Sequence, residues 1–297
     1  MNKAFRSGFV TIVGRPNVGK STLLNSMIGE KIAIMSEKPQ TTRNKITAIL
    51  TEKDCQIVFM DTPGIHKPKS KLGEYMVRVA RESLEEVDVI LFVVQADEPV
   101  TEIDKSIIES FEGIHTPVIL IINKIDLVRK DLILPLIKQY TELYEFHEVI
   151  PISAINYDGI REVIDEIKKY LPEGPQYFPD DMITDQPEKQ IVAEIIREKA
   201  LQLLEKEVPH GIAVEVMSMK EKNEKQLVEI LANIYCEKDS HKGIIIGKRG
   251  DMLKKIGSMA RMEIERLLGS KVYMQLWVKV KKDWRNSDYY IRNFGYE

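Results

Sequence analysis

Gly14-Arg15-Pro16-Asn17-Val18-Gly19-Lys20-Ser21, followed by Thr22, has the G-x-x-x-x-G-K-[ST] spacing of a phosphate-binding loop. Its glycines let backbone N–H groups close on phosphate oxygens, and a helix opening at its end presents a positive terminus to an anion. Lys20 has the length and charge to reach the outer phosphates, and the Ser21 hydroxyl suits magnesium. Asp61-Thr62-Pro63-Gly64 follows later: a carboxylate able to hold magnesium through water, then a glycine whose N–H can approach a terminal phosphate. Asn123-Lys124-Ile125-Asp126 supplies a base reader. One carboxylate at Asp126 can accept both the N1–H and the 2-amino group of guanine; adenine has neither donor there. Charge-assisted bonds contribute roughly 1.5–3 kcal/mol each, so two lost together discriminate ~10²–10⁴-fold. Ser153-Ala154-Ile155 offers N–H groups for guanine O6. The expected ligand is GTP or GDP, with Mg²⁺.

The elements that must position these residues are legible around them. Each motif follows an apolar run: Phe9–Val13, Ile57–Met60, Val118–Ile122 and Val149–Ile152. With Val89–Val94, these are short, continuous and rich in β-branched residues, the pattern of strands buried on both faces. Between them, Leu72, Met76, Val79, Ala80 and Leu84 repeat at helical spacing, as do Ile160, Val163, Ile164, Ile167 and Leu171. Strands alternating with helices predict an α/β fold with a doubly wound, mostly parallel sheet, whose ligands bind at the carboxyl ends of the strands. Taken singly, Asp-x-x-Gly fits an ordinary turn and Asn-Lys-x-Asp a capped one; position after a strand is what ties them to a nucleotide.

The second half has a different grammar. Lys189–Glu205 has helical periodicity, Ile212–Val216, Val228–Ile234 and Val272–Val280 alternate as strands do, and Leu253–Leu267 carries a helical stripe. This α-β-β-α-β order predicts a small sheet with helices on one face. Gly247-Lys248-Arg249-Gly250, preceded by apolar Ile245 and Ile246 and followed by a helix carrying Lys254, is a G-x-x-G loop. Its glycines permit close approach of a nucleic-acid backbone, and Lys248 and Arg249 supply cationic donors. The same tetrapeptide in isolation is an ordinary turn. Tyr273 and Trp277 share one face of the last strand; sheet packing is the expectation, base stacking the alternative.

The chain has 297 residues and a net charge of −3, unevenly spread. Residues 1–188 carry 22 Lys and Arg against 30 Asp and Glu; residues 189–297 carry 21 against 16, and 238–282 alone carry 12 against 4. A basic half on an acidic chain suits a polyanionic partner or, equally, a solvated charged face. Leu171–Asp181 holds three prolines, which predict a semi-rigid linker. The expected division is a nucleotide-binding domain over 1–172, a linker over 173–188, and an α+β domain over 189–297 with a short C-terminal tail. No apolar run approaches the ~20 residues of a membrane span, and the N-terminus has no secretory pattern. Cys55 and Cys236 lie in strand-like runs and are expected to be free buried thiols, as in a reducing cytoplasm.

Residues ~8–171, through these four motifs, resemble the translation-factor-like P-loop GTPases. The resemblance makes Thr41-Thr42-Arg43 the first switch, with Thr42 on magnesium and the γ-phosphate, so that Lys20, Thr42 and Gly64 contact the transferring phosphoryl group. Ile65 follows Gly64 where Ras-like members have a water-positioning glutamine. No general base is assigned, and slow intrinsic hydrolysis is expected. Members with a hydrophobic residue there and an asparagine matching Asn17 sometimes use potassium, which makes Asn17 a candidate K⁺ ligand. The second half resembles a type II KH domain, and the two halves together resemble bacterial GTPases of the Era type. That resemblance implies binding near the 3′ end of small-subunit rRNA, a part in 30S subunit assembly and weak peripheral association with the membrane; a cytoplasmic monomer is the expectation. The rival readings are a signalling GTPase whose second domain binds protein, an RNA-modifying enzyme with a GTPase switch, and an ATP-dependent RNA remodeller.

Overall fold

The computed structural model describes residues 4–36, 38, 41–65, 68, 70–84, 87–222 and 227–296. The chain divides into two compact units, the first of residues 1–33, 42–69 and 73–185, the second of 34–41, 70–72 and 186–297.

In the first unit the apolar runs become β1 (Arg6–Val13), β3 (Cys55–Asp61), β4 (Val89–Gln95), β5 (Val118–Asn123) and β6 (Glu148–Pro151), with β2 (Ile46–Thr51) between the first two. The sheet order is β2-β3-β1-β4-β5-β6; β2 pairs antiparallel with β3 and every other pair is parallel. β3, β4 and β5 are buried along their whole length, so both faces need cover. The helices are α1 (Lys20–Ile28), α2 (Lys71–Glu82), α3 (Glu102–Glu109), α4 (Ile133–Thr141) and α5 (Ile160–Tyr170). Leu23 and Leu24 of α1 and Val163 and Ile167 of α5 pack with Ile12, Phe59, Leu91 and Ile119. Ala80 of α2, Ile107 of α3 and Tyr140 of α4 pack with Val13, Phe92 and Leu120. This is the expected doubly wound sheet. β2 is an additional antiparallel strand that the sequence reading did not anticipate. Cys55 and Cys236 are buried free thiols, and burial pushes both thiol pKa values up.

The proline-rich segment is non-helical, as expected, yet it does not hang free. Ser7 Oγ donates to the Pro175 carbonyl at 2.6 Å, and Gln56 Oε1 accepts the Tyr177 and Phe178 N–H groups at 2.8 and 2.9 Å. The Ile49 N–H donates to the Ile183 carbonyl at 2.9 Å. An extended chain still has peptide groups to satisfy, and β1, β2 and β3 satisfy them. The first unit consequently runs on to residue 185.

The second unit contains α6 (Glu188–Leu203), β7 (Ala213–Lys222), β8 (Leu227–Cys236), α7 (Asp239–Ile246), α8 (Asp251–Leu268), β9 (Lys271–Val280) and α9 (Asp288–Asn293). Its sheet runs β7-β8-β9, the first pair antiparallel and the second parallel. Val192, Ile195 and Ile196 of α6 join Ile256, Ala260 and Ile264 of α8 over Ile230, Ala232, Ile234 and Val278. The order is α-β-β-α-α-β before the tail, with α7 as a helix absent from the expected α-β-β-α-β. Gly243 and the β-branched Ile244–Ile246 weaken its helical signal. The C-terminal tail is an anchor: Trp284 is fully buried, donates from Nε1 to the Gly211 carbonyl at 2.9 Å, and meets Phe294 edge-on at 5.2 Å.

Candidate functional site

The phosphate loop sits between β1 and α1 and is held by the Asp61–Gly64 segment, by Asn123 at the end of β5, and by Glu98 and Asp104. Gly64 comes so close that a Cβ there would lie 2.7 Å from Pro16 N, and the Ile65 N–H donates to the Gly14 carbonyl at 3.2 Å. The Asp-x-x-Gly segment thus packs directly on the loop. A Cβ at Gly19 (φ 100°) would lie 2.2 Å from Asn123 Nδ2. Arg15 donates from Nε to Asp104 at 2.9 Å and from Nη1 to Glu98 at 2.8 Å, so its side chain braces the loop to α3. Asp104 also accepts from Thr101 and from the Tyr140 hydroxyl. Sequence reasoning missed this brace, since Asp104 lies in no motif. Asn17 has left-handed backbone (φ 67°) and an exposed side chain at the loop tip. Val18 is buried, and Thr22 is half-buried beside Ser21 on α1.

Lys20, Ser21, Thr42 and Asp61 converge. Ser21 Oγ donates to Asp61 Oδ2 at 2.7 Å and lies 2.9 Å from Thr42 Oγ1; the Thr42 hydroxyl donates to Asp61 Oδ2 at 3.3 Å. Asp61 Oδ1 is buried with no hydrogen-bond partner among the described residues. Two hydroxyls and a carboxylate with a spare buried oxygen are a donor set for a hard divalent cation. These residues fit magnesium, which Ser21, Thr42 and Asp61 would hold and whose charge would neutralise phosphate oxygens. Lys20 Nζ donates to the Gly14 and Arg15 carbonyls at 3.0 and 2.8 Å. Burial lowers its pKa to about 8, against the pull of Asp61; burial likewise raises the Asp61 carboxyl, against Lys20. Thr62 turns inward, its hydroxyl donating to the Ile12 carbonyl at 2.8 Å, and Pro63 is buried beside it. Ile65 belongs to the hydrophobic core and brings no group that could orient water.

The corner expected to read the base, Asn123–Asp126 with Ser153 and Ala154, is one hydrogen-bonded cluster. Asn123 Nδ2 donates to the Val18 carbonyl at 2.9 Å, while its Oδ1 accepts the Lys124 and Ala154 N–H groups at 2.8 and 3.0 Å. Lys124 has left-handed backbone (φ 66°) and donates from Nζ to Gln95 Oε1 at 2.7 Å. Ser153 Oγ donates to Asp126 Oδ1 at 2.5 Å and so orients a carboxylate that stands exposed. The Ser153 N–H goes to the Asp158 carbonyl at 3.1 Å. The Ser153 and Ala154 N–H groups, two of the three expected to meet guanine O6, therefore have protein acceptors in this structure, and the Ser153 hydroxyl bonds to Asp126.

In the second unit, Gly247–Gly250 links α7 to α8, with left-handed backbone at Arg249 (φ 54°) and Gly250 (φ 85°). Lys248, Arg249 and Lys254 are exposed. Beside them a groove of about 460 Å³ runs between α8 and β9, lined by Gly250, Leu253, Lys254, Arg261, Tyr273 and Leu276. Ile245 requires a correction: it is fully buried in the core and cannot touch a ligand, because α7 turns it inward. Ile246 also packs against that core, and the exposed isoleucine of the run is Ile244. Tyr273 and Trp277 on β9 are 48% and 44% exposed, half-buried as sheet packing predicts. Elsewhere Glu52, Asp54 and Cys55 gather within 4.8 Å, but Arg161 and Lys168 pair with Glu52 and neutralise the cluster. No described helix is long and apolar enough to cross a membrane.

Comparison with known proteins places both units. The family described as "50S ribosome-binding GTPase" matches residues 9–124, and the KH domain family matches 207–285. The GTPase Era of Ruminiclostridium cellulolyticum is 60% identical over 294 residues, 99% of this chain and 98% of that protein. The GTPase Era of Clostridioides difficile is 58% identical, over 98% and 99% of the two chains. Two crystal structures match with TM-score 0.95 at 45% identity, covering 98% of this chain and 99% of theirs. One is Era in complex with MgGDPNP and nucleotides 1506–1542 of 16S ribosomal RNA. The other is a variant of Aquifex aeolicus Era bound to GDP and AlF4⁻.

Proposed function

The chain belongs to the Era GTPases, and from that premise we propose a GTP-hydrolysing switch whose KH domain binds the 3′ end of 16S rRNA in 30S subunit assembly. The observation that carries the RNA reading is the exposed Lys248-Arg249 loop beside the groove along α8, in a chain that matches an RNA-bound Era along nearly its whole length. Gly14–Thr22 would cradle the phosphates, Asp61–Gly64 would meet the terminal one, and Asn123, Lys124, Asp126, Ser153 and Ala154 would hold guanine. Ser21, Thr42 and Asp61 would hold Mg²⁺. With Ile65 in the core and no group there to orient water, intrinsic hydrolysis would be slow. Potassium at Asn17 would assist it; equal single-turnover rates in sodium and potassium would remove that role. The protein would work as a cytoplasmic monomer with weak peripheral membrane association.

The test is binding of an oligonucleotide copying the 3′ end of 16S rRNA, against a scrambled one, with a GTP analogue, with GDP and with neither. Tighter binding of the matching sequence that depends on the nucleotide is expected. A groove neutralising ~4 phosphates has a log–log salt slope near −2.8. Replacing Lys248 and Arg249 with Gln should lower that slope by about 0.7 per lost contact and weaken binding. A salt-independent, sequence-blind interaction would instead favour a second domain that binds protein.

A further inference from the structure

To serve a phosphate, Lys20 needs a direction as well as a charge. An ammonium has three N–H donors at tetrahedral corners. Two of them go to the Gly14 and Arg15 carbonyls, at 3.0 and 2.8 Å. The positions of those two carbonyls therefore fix where the third donor points. The Gly14 carbonyl is well held. Gly14 lies so close to β4 that a Cβ there would stand 2.3 Å from the Val93 carbonyl oxygen, and its own carbonyl accepts the Ile65 N–H at 3.2 Å. The Arg15 carbonyl shares its peptide with Pro16, which has no N–H to bond from the other side. Residue 15 is tied down through its side chain.

That side chain ends on a carboxylate fixed before the loop reaches it. Arg15 Nε donates to Asp104 Oδ1 at 2.9 Å, and Nη1 donates to Glu98 at 2.8 Å. Asp104 is fully buried, and its Oδ2 accepts the Thr101 N–H at 2.9 Å, the Thr101 hydroxyl at 2.8 Å and the Tyr140 hydroxyl at 3.2 Å. Thr101 and Asp104 form the capping box of α3, and Tyr140 comes from α4. Capping alone needs no burial, because a box of this kind works at a wet helix end. A buried carboxylate is costly unless it is paired and hydrogen-bonded, and Arg15 is the cation that pairs it. Burial opposes the Arg15 charge, yet Glu98 and Asp104 outweigh it and leave the pKa raised. Every residue in this chain of contacts belongs to the first unit.

We propose that Arg15 and Asp104 are positioning residues for Lys20: α3 and α4 hold the Asp104 carboxylate, Asp104 holds the Arg15 side chain, and the Arg15 carbonyl so placed turns the third N–H of Lys20 toward the outer phosphates. This rests on the reading of Gly14–Thr22 as the phosphate cradle, and it adds a part for α3, which carries none of the motifs. Arginine suits the task better than lysine, because its planar fork bonds two carboxylates at once in fixed directions.

The experiment is single-turnover GTP hydrolysis by the full chain at saturating nucleotide, in Arg15→Met, Asp104→Asn, their double variant and Lys20→Ala, with phosphorus NMR of bound MgGDPNP. Losing one charge-assisted bond should slow hydrolysis about tenfold in Arg15→Met. The two side chains form one brace, so the double variant should be no slower than the slower single one. Arg15→Lys should recover part of the loss. The β- and γ-phosphorus resonances should move in Arg15→Met while the α resonance keeps its wild-type position, since Lys20 reaches only the outer phosphates. A wild-type rate in Arg15→Met, additive losses in the double variant, or a shift of all three resonances or of none would overturn the proposal. If either single variant does not fold, Tyr140→Phe takes one hydroxyl from the Asp104 carboxylate and should slow hydrolysis about threefold; an unchanged rate there overturns it too. An unaffected Lys20→Ala would sink the phosphate-cradle reading, whereas an impaired Lys20→Ala beside an unaffected Arg15→Met sinks the brace alone.

Discussion

Asn123 donates from Nδ2 to the Val18 carbonyl at 2.9 Å, so the Asn-Lys-x-Asp corner and the phosphate loop form one hydrogen-bonded piece. The same buried amide accepts from Lys124 and Ala154 through Oδ1. Loops that follow β1, β5 and β6 therefore meet on a single side chain.

Asn123→Ala strands one carbonyl and two N–H groups. Each buried unsatisfied group costs about 1–3 kcal/mol. Affinity for GTP and GDP should fall together by about 100-fold, read by titration with fluorescent nucleotides. A loss confined to GTP would contradict the bridging role, since GTP and GDP share the base and the two inner phosphates.

Asp126→Asn exchanges an acceptor pair for an acceptor and a donor. Guanine then loses charge-assisted bonds worth roughly 1.5–3 kcal/mol each, while xanthine, with an oxygen in place of the 2-amino group, gains a partner. The ratio of GTP to XTP affinity should shift by at least about 100-fold toward XTP. Unchanged selectivity would mean that the base is read elsewhere.

Lys20 gives GTP binding a pH dependence with a definite sign. Burial holds the free ammonium at a pKa of about 8, with Asp61 opposing. Phosphate favours the charged form, so the pKa is higher with nucleotide bound. The affinity gain is complete below the free-state value and is lost as pH rises through the bound-state one, with proton uptake on binding in between. GTP affinity measured from about pH 7 to about pH 9.5 should fall, and calorimetry in two buffers should detect the proton. A flat profile would show that Lys20 is charged throughout.

Trp284 fastens the C-terminal segment to the second unit through its ring and its bond to Gly211. Trp284→Ala should cost about 3–5 kcal/mol of stability in that unit. RNA binding and thermal melting should suffer while GDP affinity, which depends on the first unit, holds. Wild-type melting would show that the tail is dispensable.

Legibility in the sequence tracked the range of the forces involved. β1, β3, β4 and β5 could be read directly because strands buried on both faces must be continuously apolar. Lys20, Ser21, Asp61, Asn123 and Asp126 could be read because chemistry demands those groups at strand ends. α7 escaped because Gly243 and three β-branched residues hide a helix that tertiary packing imposes. Ile245 was misassigned for the same reason: without the helix, nothing said which isoleucine faced inward.

The amino-acid order alone determined the doubly wound sheet, the phosphate loop, the Asn-Lys-x-Asp carboxylate at a strand end and the basic G-x-x-G turn, since each is a local pattern with a local cause. Only the tertiary structure decided that Arg15 is tied to Asp104, that Ser153 bonds to Asp126 through its hydroxyl, that 173–184 is hydrogen-bonded to β1, β2 and β3, and that Arg197 and Glu198 of α6 bond to the Thr41 carbonyl and the Met35 N–H. Those are contacts between residues far apart in the chain. A charged side chain on a helix looks the same in sequence whether it faces water or a distant carbonyl, and the packing of the whole unit settles which.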